Sequence, residues 1–229
     1  MDTVKSKDRS GDILLRVSPE SGRFIVEEHR KNGVISCKEI SPLDFYNAIY
    51  GSIDREFSVR SGLLPQNCLH VSFLGTDKYF VLWNPELRAN ISYGGREYLE
   101  FPVPRLVFGV RTLQDGRVVD CSLGVAADEQ PTENTKMYHY PFSNVYDDFR
   151  VCVGNNVMPH FKSQAQLSRF PRYLLGIPNN NDYFKASHNK LHMEYRELLE
   201  HLKDKEPAYY YTDVLIESGK TLGDFIGGR

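Results

Sequence analysis

Short apolar runs, each closed by Gly, Pro, Asn or Asp, fill the chain as far as Cys152, and helix-spaced apolar stripes follow it. Ile13–Val17, Arg23–Glu27 and Val34–Lys38 are expected to be strands, with Gly22 and Asn32-Gly33 as hairpin signals. Ser41-Pro42-Leu43-Asp44 places a capping serine, a first-turn proline and an acid three residues on. That order predicts a helix to about Tyr50, with Leu43, Tyr46, Ala48 and Ile49 on one side. A second series of strands is expected at Leu69–Leu74, Tyr79–Trp83, Glu97–Phe101, Arg105–Arg111, Val118–Ala126 and Lys136–His139. The breaks between them are short, which predicts an antiparallel meander instead of parallel crossover units.

Beyond Cys152 the spacing becomes helical. Phe161–Leu175 carries Leu167, Phe170, Leu174 and Leu175, with Pro171 expected to kink or end a segment. Ser187–Lys203 carries a stripe of Leu191, Tyr195, Leu198, Leu199 and Leu202, read as core packing. Thr212–Ile226 is expected to be a final short helix. Strands first and helices second define an α+β chain.

Composition narrows the function. Apolar residues make up 41% and charged residues 25%, the balance of an ordinary soluble domain. A net charge of -2 gives no basic surface for general nucleic-acid binding. No apolar run is long enough for a membrane span and the polar start is unlike a signal peptide, so a cytoplasmic protein without a membrane partner is expected. The four cysteines, Cys37, Cys68, Cys121 and Cys152, have no paired spacing, which argues for reduced thiols over a zinc knuckle or disulfide framework. Cys37, Cys68 and Cys121 sit in strand-like runs and are expected to be buried small hydrophobes. Gly94-Gly95 reads as a turn, so no nucleotide site is expected. His188 and His192 stand four apart without a third ligand and are read as exposed helix positions, not a metal site.

Cys152 differs from the other cysteines because polar and turn-forming residues surround it. Asn144 lies eight residues before it, within Tyr138-His-Tyr-Pro-Phe-Ser-Asn-Val145. A thiolate can carry an acyl group as a thioester, and a nearby amide can donate to the oxyanion. Arg150 is a candidate for lowering the thiol pKa by its charge. Asp147-Asp148 reads as a solvated loop.

These residues resemble the active-site segment of ubiquitin-conjugating enzymes, in which a Tyr-His-Pro-Asn stretch closes the meander and the cysteine follows the Asn by eight residues. Here His139, Pro141 and Asn144 are spread apart, and Phe149-Arg150 stands where Gly is usual. The segment is closer to a bacterial branch, prokaryotic conjugating-like family D, the PRTRC system protein B type, through Tyr138–Val145 and Val151-Cys-Val-Gly154. Phe101–Phe108 and Phe184–His188 resemble further elements of that branch. Leu174-Leu-Gly-Ile-Pro-Asn-Asn-Asn-Asp182 is similar to the stretch after the active-site crossover of the general fold, whose Asp positions the attacking lysine.

The resemblance covers about residues 97–229. It implies a conjugating-type core over 97–229 and a β-rich N-terminal extension over 1–96, or one domain containing both. It further implies an acyltransferase with Cys152 as thioester carrier. Asn144 would be loop brace or oxyanion donor, and Asp182 lysine-positioning base or plain turn residue. His139 would be a fourth catalytic candidate or a loop-tying hydrogen-bonder. The implied partners are a ubiquitin-like protein, an adenylating ThiF-type activating enzyme and a JAB-type metallopeptidase of the same pathway. No metal or organic cofactor is required. Two other readings stand beside it: a conjugating-like scaffold that binds without carrying, and a cysteine hydrolase using Cys152 with His139. The Gly-Gly near the end suits a frayed terminus better than a ubiquitin-like precursor.

Overall fold

The computed structural model describes residues 13–18, 23–29, 35–52 and 61–228. The chain forms two compact units, residues 1–60 and 61–229.

In the first unit, β1 (Ile13–Ser18), β2 (Arg23–His29) and β3 (Ile35–Ile40) form an antiparallel meander, followed by α1 (Pro42–Ser52). Ser41 caps α1 as its sequence requires: its hydroxyl accepts from the Asp44 amide at 3.0 Å and donates to the Asp44 carboxylate at 2.8 Å. The packed side of α1 differs from expectation. Phe45 stacks on Phe24 of β2 at 5.1 Å, whereas Leu43, Tyr46 and Ile49 are exposed. Cys37 is exposed as well, not the buried hydrophobe its strand suggested. The hairpin signals Gly22 and Asn32-Gly33 lie outside the described residues.

The second unit is built on a six-stranded antiparallel sheet. Its strands are β4 (Cys68–Leu74), β5 (Asp77–Asn84), β8 (Leu106–Thr112), β9 (Val118–Ala126), β10 (Lys136–Tyr138) and β11 (Glu217–Thr221), in the order β11-β10-β9-β8-β5-β4. Between β5 and β8 the chain makes a separate ribbon, β6 (Leu87–Tyr93) with β7 (Arg96–Val103). Strand β6 was not foreseen, although Leu87, Ala89, Ile91 and Tyr93 alternate with Arg88, Asn90 and Ser92 in the period-2 pattern of a half-buried strand. The expected boundary at 96/97 falls at the first residue of β7, inside this ribbon.

Both faces of the central strands are covered, so alternation along them splits the core in two. Phe80, Leu82, Phe108, Val110, Leu123 and Val125 face α2 (Phe170–Leu175) and α3 (Tyr195–Leu202), through Phe170, Leu174, Leu198, Leu199 and Leu202. Tyr79, Val81, Val107 and Ala126 turn the other way, onto Met137, Phe149 and α4 (Leu222–Gly227).

The C-terminal helices are shorter than the periodicity predicts. Pro171 occupies the first turn of α2, after a 3₁₀ stretch at Gln164–Arg169, and so begins a helix instead of ending one. Only the second half of Ser187–Lys203 is α-helical. The buried Asn189 side chain takes the Met193 amide at 3.1 Å and donates to the Met193 carbonyl at 3.3 Å, which holds the preceding residues out of the helix. Within Thr212–Ile226 the expected helix is replaced by the end of a π-turn (Tyr210–Val214), by β11 and by α4. Pairing with β10 decides this, since a local pattern cannot anticipate a vacant sheet edge supplied by distant sequence. No helix of the described residues is long and apolar enough to cross a membrane.

Candidate functional site

Residues 144–152 form a tight hairpin. The Cys152 amide donates to the Asn144 carbonyl at 2.8 Å, Val145 bridges Val151, and the Tyr146 amide donates to the Arg150 carbonyl at 2.9 Å. The turn closes with the Phe149 amide on the Tyr146 carbonyl at 3.0 Å. The returning arm is fastened to β9: Val151 donates to the Cys121 carbonyl at 3.0 Å, and Leu123 donates to the Phe149 carbonyl at 2.8 Å.

Two residues pay the conformational cost of this shape. Asn144 has φ 66° and Phe149 has φ 70°. Asn tolerates the left-handed region, whereas a bulky side chain there is strained. Phe149 is held by its ring, which is buried and meets Phe225 edge-on at 5.4 Å. Gly124 makes room for it: a Cβ at that position would come within 2.6 Å of Met137 and 3.1 Å of the Phe149 ring. Phe149 thus holds a backbone conformation that only glycine adopts without strain.

The loop at 178–183 packs against the hairpin. The Asn144 amide donates to the Asp182 carbonyl at 2.9 Å, and the Asn144 side-chain amide donates to the Pro178 carbonyl at 3.3 Å. The loop is fixed from the other side by β6, where the Asn179 amide donates to the Ser92 carbonyl at 2.8 Å and the Tyr93 hydroxyl meets Asn181 at 2.7 Å. Buried Ser143 ties the two segments, donating to Asn179 Oδ1 at 3.1 Å. Cys152, Asn144, Ser143, Tyr140, Leu174 and Asn179 line a cleft of about 20 Å³, room for a water molecule and not for an organic ligand.

Cys152, Asn144 and Asp182 are therefore brought together, though through backbone contacts. The Asp182 carboxylate accepts from Asn180 Nδ2 at 2.8 Å. The His139 ring stacks on His188 at 4.1 Å with planes 10° apart, and His188 lies 3.5 Å from Asp147. Burial holds both imidazoles below the ordinary histidine range. His188 and His192 do not share a helix face, because His192 has φ 52° and precedes α3. Asp147 is exposed and paired with Lys185 at 2.6 Å, which holds its carboxyl low. The Arg150 guanidinium is paired with Asp148 at 2.7 Å and lies over the Tyr146 ring at 5.2 Å.

Sequence reasoning missed Tyr146 and Tyr183. Their rings are 4.0 Å apart and their hydroxyl oxygens 2.8 Å apart. The Tyr146 phenol is pushed up to about 12, first by the hydrogen bond to Tyr183, then by desolvation, and further by Tyr183 and Cys152. Each tyrosine lies next to a recognised candidate, Tyr146 two residues after Asn144 and Tyr183 one after Asp182. Only the hairpin register reveals that they meet beside Cys152.

Among the described residues no group of three or more His, Cys, Asp or Glu is placed to hold a metal ion. No curated protein and no solved structure matches the chain. The model of Prokaryotic E2 family D matches residues 45–217, a span that contains β4, β5, β8, β9 and β10 of the sheet, the hairpin, the 178–183 loop and α3. The chain therefore belongs to Prokaryotic E2 family D, a family of E2-like proteins.

Proposed function

We propose that this protein is a conjugating-type acyl carrier with Cys152 as its nucleophile. The observation that carries the reading is the joining of Cys152 to Asn144, and of Asn144 to the sequence-distant Asp182, each by a backbone hydrogen bond. In this reading the Cys152 thiolate attacks the activated C-terminal carbonyl of a ubiquitin-like protein, forms the S–acyl bond and expels the activating group. An amine then attacks the thioester, gives up a proton and releases the thiolate. Asn144 braces the hairpin in this scheme, since its side-chain amide is directed at Pro178. Asp182 is the candidate to receive the amine proton, a role that needs hydrogen-bond reach of the acceptor. The partners are a ubiquitin-like protein and an adenylating activating enzyme, with a JAB-type metallopeptidase in the same pathway. Cys152 is only partly buried and shares its hairpin face with Tyr146 and Arg150, which line an open surface hollow, and this supports a macromolecular acyl donor laid over the surface.

The test is a charging assay with the activating enzyme and ubiquitin-like protein encoded beside this gene, with ATP, read on a non-reducing gel. A band shift is expected that vanishes with thiol and in Cys152→Ala and becomes thiol-resistant in Cys152→Ser. Absence of any shift, with adenylate formation confirmed, rejects the carrier and favours a conjugating-like scaffold that binds without carrying.

A further inference from the structure

The hairpin register decides which side chains share a face. Asn144 pairs with Cys152, Val145 with Val151 and Tyr146 with Arg150. Val145 is buried in the core, so positions 144, 146, 150 and 152 project from the opposite face. Tyr146 and Cys152 are then diagonal neighbours across the two arms, a separation that an aromatic side chain spans. The register therefore places the Tyr146 ring and the Cys152 thiol on one face of the hairpin, while the Asn144 side chain is committed to Pro178.

Tyr183 sits behind Tyr146. It is held at φ 60° at the end of the loop that Asn144 fastens, and its hydroxyl meets that of Tyr146 at 2.8 Å. Each hydroxyl can both donate and accept. When Tyr183 donates to the Tyr146 oxygen, the Tyr146 proton is free for the sulfur. The neighbouring charges are already paired: Arg150 with Asp148, Asp147 with Lys185, and the Asp182 carboxylate with the Asn180 amide.

We infer that Tyr146, polarised by Tyr183, is the hydrogen-bond donor that holds the Cys152 thiolate ready for acyl transfer. The inference takes its purpose from the acyl-carrier reading of Cys152, but the contact itself is testable without any partner protein. A hydrogen bond to a charged group shifts an ionisation equilibrium by about tenfold or more. It also makes the thiolate less nucleophilic, with a Brønsted slope of about 0.4–0.5. The two effects oppose each other and leave a distinctive pH profile.

The experiment is alkylation of the full-length chain by iodoacetamide between pH 6 and 10, quantified at Cys152 by peptide mass spectrometry so that exposed Cys37 does not interfere. The Tyr146 phenol keeps its proton over this range. Tyr146→Phe keeps the ring against Tyr183 and loses only the donor. It is expected to react about threefold more slowly near neutral pH and about threefold faster where the thiol is fully ionised, so that its profile crosses that of the wild type. Tyr183→Phe is expected to move the same way by less. A Tyr146→Phe profile that superposes on the wild type, or is displaced without crossing, overturns the inference. Charging measured on the same proteins separates the two ideas. A crossing profile without charging removes the carrier reading and leaves the Tyr146 contact. Charging with an unchanged profile removes Tyr146 alone.

Discussion

The Cys152 amide donates to the Asn144 carbonyl across 2.8 Å, which turns an eight-residue spacing in sequence into a direct contact. The same Asn144 reaches the Asp182 carbonyl through its own amide at 2.9 Å. One residue in the left-handed region thus connects the arm that carries the cysteine to the loop that carries Asp182.

That backbone role predicts an ordering among substitutions at position 144. Asn144→Gly keeps the left-handed geometry and loses the side-chain bond to Pro178. Asn144→Ala loses the same bond and adds strain, so it is expected to be the less stable by about 1 kcal/mol. Urea denaturation of both variants measures the difference, and equal midpoints would remove the backbone account.

Phe149 combines a left-handed φ with a buried ring, two effects that substitutions can separate. Phe149→Ala is expected to destabilise by about 3 kcal/mol or more through lost packing against Phe225 and Met137. Phe149→Gly loses the same packing but relieves the strain, and should be milder by about 1 kcal/mol. Thermal melts of the pair check the order. An alanine variant as stable as the glycine one would mean that the strain is negligible.

The stacked His139 and His188 rings predict a pH dependence. Burial comes first in holding both imidazoles low; for His188 the charge of His139 adds to it, and Asp147 partly opposes it in each. A depressed histidine favours folding while neutral in both states. Its contribution is full above the ordinary value of about 6.5 and is lost as pH falls below it, because the unfolded chain takes up protons first. Tm should be flat between pH 8 and 7 and fall towards pH 5. His188→Gln should flatten that fall, and parallel curves for wild type and variant would show that the pair contributes nothing. The low carboxyl of Asp147 acts in the same direction, but only as pH drops below its ordinary value of 3.8.

If Asp182 receives a proton from the acceptor amine, Asp182→Asn should still form the thioester, since only the side chain changes and the Asn144 amide binds the main-chain carbonyl. Discharge onto free lysine should fall about 10²-fold, the scale of a positioned general base. Discharge at the wild-type rate would return Asp182 to the role of a turn residue, bonded to Asn180.

Both apolar clusters of the second unit are formed by residues from 68 to 226. A chain starting at Ser61 is therefore expected to fold and melt cooperatively without residues 1–60. Circular dichroism of that truncation tests this directly, and a fragment without a cooperative transition would show that the first unit contributes to the core.

The strands were legible because a short apolar run between turn residues leaves the backbone few alternatives. β1, β2, β3, β5, β8 and β9 lie close to where the pattern put them. The motif around Cys152 was legible for a different reason: its residues are close in sequence, and the resemblance lay in their order. The helices were over-extended because an apolar stripe reports which residues face a core, not where a helix begins. Asn189 and its bonds to Met193 set that start for α3. Tyr146, Tyr183 and Ser143 could not be read as a group, since each looks like an ordinary loop residue until the 178–183 segment is laid against the hairpin.

By itself the sequence determined an antiparallel α+β chain with one chemically distinctive cysteine and an asparagine at a fixed distance before it. The tertiary structure alone decided what surrounds that cysteine. Helices α2 and α3 cover one face of β8 and β9 and Phe149 with α4 the other, β11 fills the edge beside β10, and β6 presents the loop that meets the hairpin. These contacts join residues tens of positions apart. They follow from burial and from backbone groups that must find partners when water is excluded, and neither condition is written in a local pattern.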